Sequence, residues 1–389
     1  MCGRRVAEFA RRYPKRLVQT NPGKSPSCWR QRVGAPQPDR PSFEGRPPAR
    51  GRGTQSALFS SLLEHQVRWK EEVAGVRELG VHNGRTGASL FPMKHWDLNL
   101  LPEFRADVVE HLRHYEIHRH EFIHHVMSSQ VFALNLAAPF FRNPERLAPV
   151  LEDDVDRVLR VEAEVVGDQD YFGEPGTRGA NRTSADLGIW ARLKDGRVAL
   201  TLVEVKFTER ALGACSKGAE RQGACDTDGP AIVASDGELC PLSWPPYRRR
   251  YWPLLRHLGV FRPEALEVPG PCPFRHGGYQ LMRNQVLAAA IAADPLSGVD
   301  TARFVVLSHP GNTEIGVPDP PLGGSSRLEV GWPAMLCDPT RFGTLDARWW
   351  VETLGRDPAL DGWAKAMLAR YFPERVEQPA PAPADPGPA

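Results

Sequence analysis

Apolar positions Leu58, Leu62, Leu63 and Val67 recur at helical spacing from about Ser56 to Val73, and a longer helical block runs from Leu101 to about Leu136. Asn143-Pro144-Glu145 reads as another helix start, with Asn at the N-cap, Pro in the first turn and an acid behind it. The period changes to two at Val161-Glu162-Ala163-Glu164-Val165-Val166, which predicts a strand with both acids on one face. Two further runs flank Lys194-Asp195-Gly196 and predict a hairpin over 184–207. A helix over 279–293 follows, striped by Tyr279, Met282, Val286, Ala290 and Ile291, then a short buried strand over 303–308. Helix recurs near 345–371. Residues 211–275 are poorly periodic, contain Cys and Pro, and read as an insertion. Strands interleaved with helices predict an α/β fold.

The returning strand of the hairpin is apolar on both faces, with Val198, Leu200 and Leu202 on one and Ala199, Val203, Val205 and Phe207 on the other. Such a strand belongs in the middle of a sheet. Glu204 and Lys206 interrupt it at its end, where a desolvated charge needs a partner or a metal. A two-residue Asp195-Gly196 turn would pair 194 with 197 and send Asp186 and Glu204 to opposite faces. A three-residue Lys194-Asp195-Gly196 loop, with Gly left-handed and a bulge, pairs 193 with 197 and sets Asp186 across from Glu204. The second register is expected, because it alone gathers two carboxylates and a lysine able to hold a divalent ion and activate a water. That is equipment for cutting a phosphodiester. The plain alternative is a buried ion pair between Lys206 and a neighbouring carboxylate.

Asp186 and Glu204-Val205-Lys206 on a hairpin, followed by a helix bearing Tyr279-Gln280-Leu281-Met282-Arg283-Asn284, resemble the PD-(D/E)XK nuclease superfamily. More narrowly, the chain is similar to a bacterial group of restriction endonucleases. Met127-Ser128-Ser129-Gln130, Asn135, Thr183-Ser184-Ala185-Asp186 and Cys272-Pro273-Phe274 add to a likeness spanning roughly residues 100–310. Ala185 stands where the superfamily's nominal motif has Pro. The resemblance implies a restriction-endonuclease-like core, a mixed sheet flanked by helices, with an added helical N-terminal part. It implies that Asp186, Glu204 and the Val205 carbonyl bind Mg2+, with Mn2+ as a substitute. Lys206 would orient or deprotonate the attacking water, and Gln280 would face the site. Gln280, Arg283 and Asn284 share a helix face by their spacing, and Glu164 on the preceding strand is a candidate extra acid. For Glu164 and Arg283 a purely structural charge is the alternative. The substrate implied is DNA, in defence against foreign DNA, with a homodimer as a route to cutting both strands. A nuclease fold that binds nucleic acid without cutting it is a second reading.

Composition adds one thing to this picture. The 389-residue chain is 41% hydrophobic and 25% charged, as a globular protein is. Its net charge of +2 hides an asymmetry: residues 1–52 hold 13 Lys and Arg against 3 acids, and the remainder 36 against 44. A basic arm suits phosphate neutralisation, although an unstructured leader has the same composition. Residues 1–52 and the Pro/Ala tail over 376–389 are expected to be disordered. Residues 53–160 are expected to form the helical N-terminal region, and 161–375 the core with its insertion. The longest apolar stretch, 131–141, has 11 residues and includes Asn135, too short to cross a bilayer. Without a secretory signal pattern at the start, a cytoplasmic protein is expected.

Two other constellations compete. His120-Glu121-x-x-His124 has zinc-peptidase spacing on a helix, with Glu145 as a doubtful third ligand. Six histidines within residues 111–125 make such a match easy by chance. Cys215, Cys225, Cys240 and Cys272 are candidates for a zinc site or an iron–sulfur cluster, though no Cys-x-x-Cys occurs among them. Separate buried thiols are the alternative.

Overall fold

A computed structural model of the chain describes residues 54–373 apart from 179–181, 210, 220–224, 226 and 319–321. The arm and tail expected at the two ends lie outside the described residues. A small hairpin of β1 (Gly80–His82) and β2 (Arg85–Gly87) precedes the main sheet. Five strands then lie side by side in chain order: β3 (Val155–Val165), β4 (Ala185–Leu193), β5 (Val198–Lys206), β6 (Thr301–Ser308) and β7 (Phe342–Asp346). The pairs β3/β4 and β4/β5 are antiparallel, whereas β5/β6 and β6/β7 are parallel. The sheet is therefore mixed, and β5 lies at its centre.

Both faces of β5 are buried because each meets its own apolar layer. Val203, Val205 and Phe207 enter a core with α1 (Thr54–Glu72), α2 (Arg105–His114) and α3 (Ser129–Ala137). Leu200 and Leu202 enter the other, with α4 (Tyr251–His257), α5 (Tyr279–Ala293) and α6 (Leu328–Met335). The first layer is completed by α7 (Ala347–Leu354) and α8 (Asp361–Tyr371). Ile232, Trp252, Leu255 and Phe274, from the aperiodic stretch, line the second core beside Leu200 and Leu202. Each fully buried Leu, Val or Phe contributes about 1.5–3 kcal/mol, so these two layers can offset the cost of charges held at the strand ends.

Several expected elements differ. The helix read from Leu101 to Leu136 breaks after His114. The amides of Glu116 and Ile117 bond to the carbonyls of Arg113 and Leu112, and Glu116 is left-handed at φ 50°. That is a Schellman stop made without glycine. Residues 115–128 are turns and irregular backbone, and helix resumes at α3, where the Ser128 hydroxyl accepts from the Val131 amide. Asn143 makes no side-chain cap, and Pro144–Val150 is a 3-10 helix. The strand read at 161–166 begins at Val155. The helix read over 345–371 is two helices preceded by β7, with Gly355 and Pro358 in the break.

Candidate active site

The hairpin closes with the three-residue loop. The Leu193 amide bonds to the Arg197 carbonyl at 2.8 Å, the Gly196 amide returns to Leu193, and Gly196 has φ 88°. The register runs from Arg192 opposite Val198 to Leu187 opposite Val203. The next pair in that register is Asp186 and Glu204, on one face at the sheet's end. Asp186 Oδ2 accepts from the Val205 amide at 2.6 Å. Residues of β5 bond to β6 on its other side, so the Val205 peptide faces Asp186.

The helix α5 supplies the roof. Gln280 Nε2 donates to Glu204 Oε1 (2.6 Å), and its Oε1 accepts from Lys206 Nζ (2.8 Å). One turn on, Asn284 Nδ2 donates to Glu204 Oε2 (2.7 Å). Lys206 Nζ also lies 2.9 Å from Glu204 Oε1, with both side chains buried. Arg283, expected on this face, turns instead to Thr183 Oγ1 (2.8 Å) and Glu174 Oε1 (3.6 Å). Glu174 also receives the Thr183 hydroxyl and Tyr251. The arginine therefore braces the approach to Asp186 from one side.

Glu164 comes to the site by a backbone irregularity. Its φ of 51° is left-handed, and the alternation of β3 breaks there: Ala163 lies in the first core and Val165 in the second. Such a kink re-aims a side chain and stores strain where function requires it. Glu164 accepts from Gln130 Nε2 (2.9 Å) and Ser184 Oγ (2.8 Å), with His120 Nε2 at 3.6 Å. Gln130 and Ser184 belong to the motifs quoted above, but the sequence offered no reason to place either on Glu164.

Electrostatics set this cluster apart. Burial, then Glu204 and Glu164, hold the Asp186 carboxyl well above the ordinary aspartate range, against Lys206 and the Val205 amide. Burial likewise raises Glu164. Burial pulls Lys206 down, but Glu204, Glu209 and Asp186 outweigh it, so the ammonium is raised and stays charged. The ion pair between Lys206 and Glu204 is thus real. It does not balance a group of three carboxyls.

A divalent cation fits that imbalance. Among the described residues, no three His, Cys, Asp or Glu side chains stand close enough to hold an ion by themselves. Two carboxylates that leave other positions to water and phosphate oxygens are how Mg2+ is commonly held. The same observation bears on the cysteines. Cys215, Cys225 and Cys240 are buried and Cys272 half-buried, none in a disulfide. Burial pushes Cys240 up to about 11 and raises Cys272 as well, so both keep their protons, whereas the thiolate is the ligand form. The peptidase reading is corrected. His120 lies in irregular backbone and Glu121 and His124 in the turn that follows, so no shared helix face forms. Glu121 pairs with His82 Nε2 (3.2 Å), and His124 is fully buried with neither ring nitrogen hydrogen-bonded among the described residues.

The mixed five-stranded sheet between helical layers is a restriction-endonuclease-like α/β core. The chain belongs to the family described as restriction endonuclease associating with ARP, which matches residues 63–372. Membership implies a nuclease role. No curated protein and no solved structure matches the chain. Among the described residues no helix is long and apolar enough to cross a membrane.

Proposed function

We propose that this protein is a PD-(D/E)XK-type, Mg2+-dependent endonuclease that hydrolyses DNA phosphodiester bonds in defence against foreign DNA. The observation that carries the reading is the convergence of Asp186, Glu204 and Lys206 at one end of β4 and β5, with Gln280 tying Glu204 to Lys206 and the Val205 amide holding Asp186. Asp186, Glu204 and the Val205 carbonyl would hold Mg2+, and Mn2+ in its place. When bound, the ion supplies Lewis-acid polarisation of the phosphoryl group and acidifies a coordinated water. Lys206 enters as a cation. It orients the attacking water and offsets charge in the transition state rather than abstracting a proton. Gln280 and Asn284 hold Glu204 in place, and Gln280 also fixes the lysine. Gln130 and Ser184 keep Glu164 at the rim as an extra acid. Two copies of the chain would serve the two strands of a duplex.

Plasmid and linear single-stranded DNA incubated with Mg2+ or Mn2+ should be cut by the wild type. Lys206→Ala and Glu204→Gln should each lose at least about 100-fold in rate, the scale of removing one transition-state contact. Equal cutting by all three proteins would assign the activity to a contaminant. A folded wild type that cuts no DNA form with either ion would overturn the proposal.

A further inference from the structure

Two residues along β4 from Asp186, a cavity of about 170 Å³ opens between β3, β4 and the far end of α5. Its floor is Glu162, which lies opposite Gly188 and is 3% exposed. Arg160 Nη1 reaches Glu162 Oε1 (3.1 Å), and Arg178 Nη2 reaches Oε2 (3.0 Å). The walls are Trp190 and Tyr115, with guanidinium carbons 4.0 and 5.0 Å from their ring centroids, and Ile291. A Cβ at Gly188 would meet the Trp190 ring at 2.9 Å, so the bare glycine lets the indole lie flat toward the catalytic acids.

Since β3 is an edge strand, these charges could simply guard it against pairing. An edge guard, however, stands in water. Here the carboxylate is buried, and Arg178 Nη1 is buried with no hydrogen-bond partner among the described residues. A buried donor costs about 1–3 kcal/mol when nothing accepts from it, so Nη1 is available to an acceptor on a bound group.

The size limits the occupant. Pockets for drug-sized ligands measure about 300–1,000 Å³, whereas a cavity of about 150 Å³ admits benzene. One six-membered ring fits. It must offer a donor to Glu162 beside an acceptor for Arg178, and a flat face for the Arg160 guanidinium that lies over Trp190. Cytosine does so: its N4 amino group donates to a carboxylate, and its ring nitrogen and carbonyl accept from the guanidinium. Alternate residues of a strand are about 7 Å apart, so the pocket lies roughly one nucleotide from the carboxylates.

We propose that this cavity receives one cytosine base, extruded from the substrate strand next to the cleavage position, read by Glu162 and Arg178 and stacked on the Arg160 guanidinium. The proposal rests on the nuclease reading above. Extrusion costs little where the base is already unpaired, so the pocket should act on single-stranded DNA first.

The test is fluorescence anisotropy with the Lys206→Ala protein and labelled thymidine 12-mers, carrying dC, dT, dA or dG at one central position. The dC oligonucleotide should bind about tenfold more tightly than the dT one, within the range of one good base contact. Glu162→Gln and, separately, Arg178→Met should reduce that preference to under twofold while binding of the all-dT oligonucleotide stays unchanged. Binding without base preference in the parent, or a preference that survives both substitutions, would overturn the pocket and leave the nuclease reading intact. Failure of the wild type to bind or cut any DNA would instead remove the reading on which the pocket rests.

Discussion

Two buried polar centres in this molecule are built on opposite plans. In the first helical layer Arg370 is fully buried with no carboxylate beside it, and burial lowers it to about 10. Its Nε donates to Gln66 Oε1 (3.0 Å), Nη1 to the Asn99 carbonyl (2.7 Å) and Nη2 to Asn99 Oδ1, with the guanidinium 3.6 Å from the Trp69 ring centroid. Gln66 returns a bond to the Arg370 carbonyl, and Asn135 bonds to the Tyr371 hydroxyl. Donors there are matched to acceptors. At the strand ends, by contrast, Glu164, Asp186 and Glu204 act on one another as like charges, with Lys206 as the cation among them. Matched networks rigidify a fold. Titratable groups pushed away from their ordinary range by burial and by one another are candidates for a functional site. On the proposed nuclease reading, the contrast separates a structural charge from a working one more clearly than burial does, since both are buried.

The largest effect should come from breaking the matched centre. Arg370→Ala removes a fully buried side chain and strands the acceptors of Gln66 and Asn99, at a cost of about 3–5 kcal/mol. Urea unfolding should show that loss, and whatever protein remains folded should cut DNA at the normal rate. A loss under about 1 kcal/mol would mean that the network is not a structural anchor. Asp186→Asn should do the reverse. It removes one of the three opposed carboxyls but keeps an oxygen for the Val205 amide, so the metal-free protein should gain about 0.5–2 kcal/mol, as when functional strain is relieved. In a chain of this size that is roughly a few degrees in Tm. Cleavage should be abolished. A destabilised Asp186→Asn protein would place Asp186 with Arg370 as a structural group.

Much of this contrast could be read from the sequence where local rules are strong. The register of β4 and β5 followed from three loop residues, because a one-residue slip moves every side chain to the other face. The stripe of α5 gave that helix its observed bounds and brought Gln280 and Asn284 to Glu204. What escaped depends on tertiary context. A left-handed Glu116 stops α2 where a glycine would have announced it, and a left-handed Glu164 redirects a side chain that strict alternation keeps beside Glu162. The short β7 has Gly343 and no clean alternation. Residues 211–275 lack period because short, irregular segments supply the second core one side chain at a time. Arg283 failed for a simpler reason: helical spacing fixes a face, and the pull of Thr183 and Glu174 came from a loop that begins 100 residues away in sequence.

The smallest effect is also the most diagnostic, and it lies in the pH dependence. A carboxyl whose folded value is raised keeps its proton where the unfolded chain has lost it. As pH rises from the ordinary aspartate value near 3.9 through the raised folded value, stability therefore falls. Burial, Glu204 and Glu164 raise Asp186, so the metal-free wild type should lose Tm relative to Asp186→Asn as pH climbs through that window. The matched Arg370 centre should contribute nothing to this difference, because it is present in both proteins. Mg2+ binds the ionised form and competes with the proton, and it stabilises by mass action. The Tm increase caused by Mg2+ should accordingly grow between pH 5 and pH 8 in the wild type and be absent in Asp186→Asn. Differential scanning fluorimetry of the two proteins, with and without Mg2+ at each pH, reads all four quantities. A Mg2+ response of equal size at both pH values, or one retained by Asp186→Asn, would show that the ion binds elsewhere and that the opposed carboxyls are not its site.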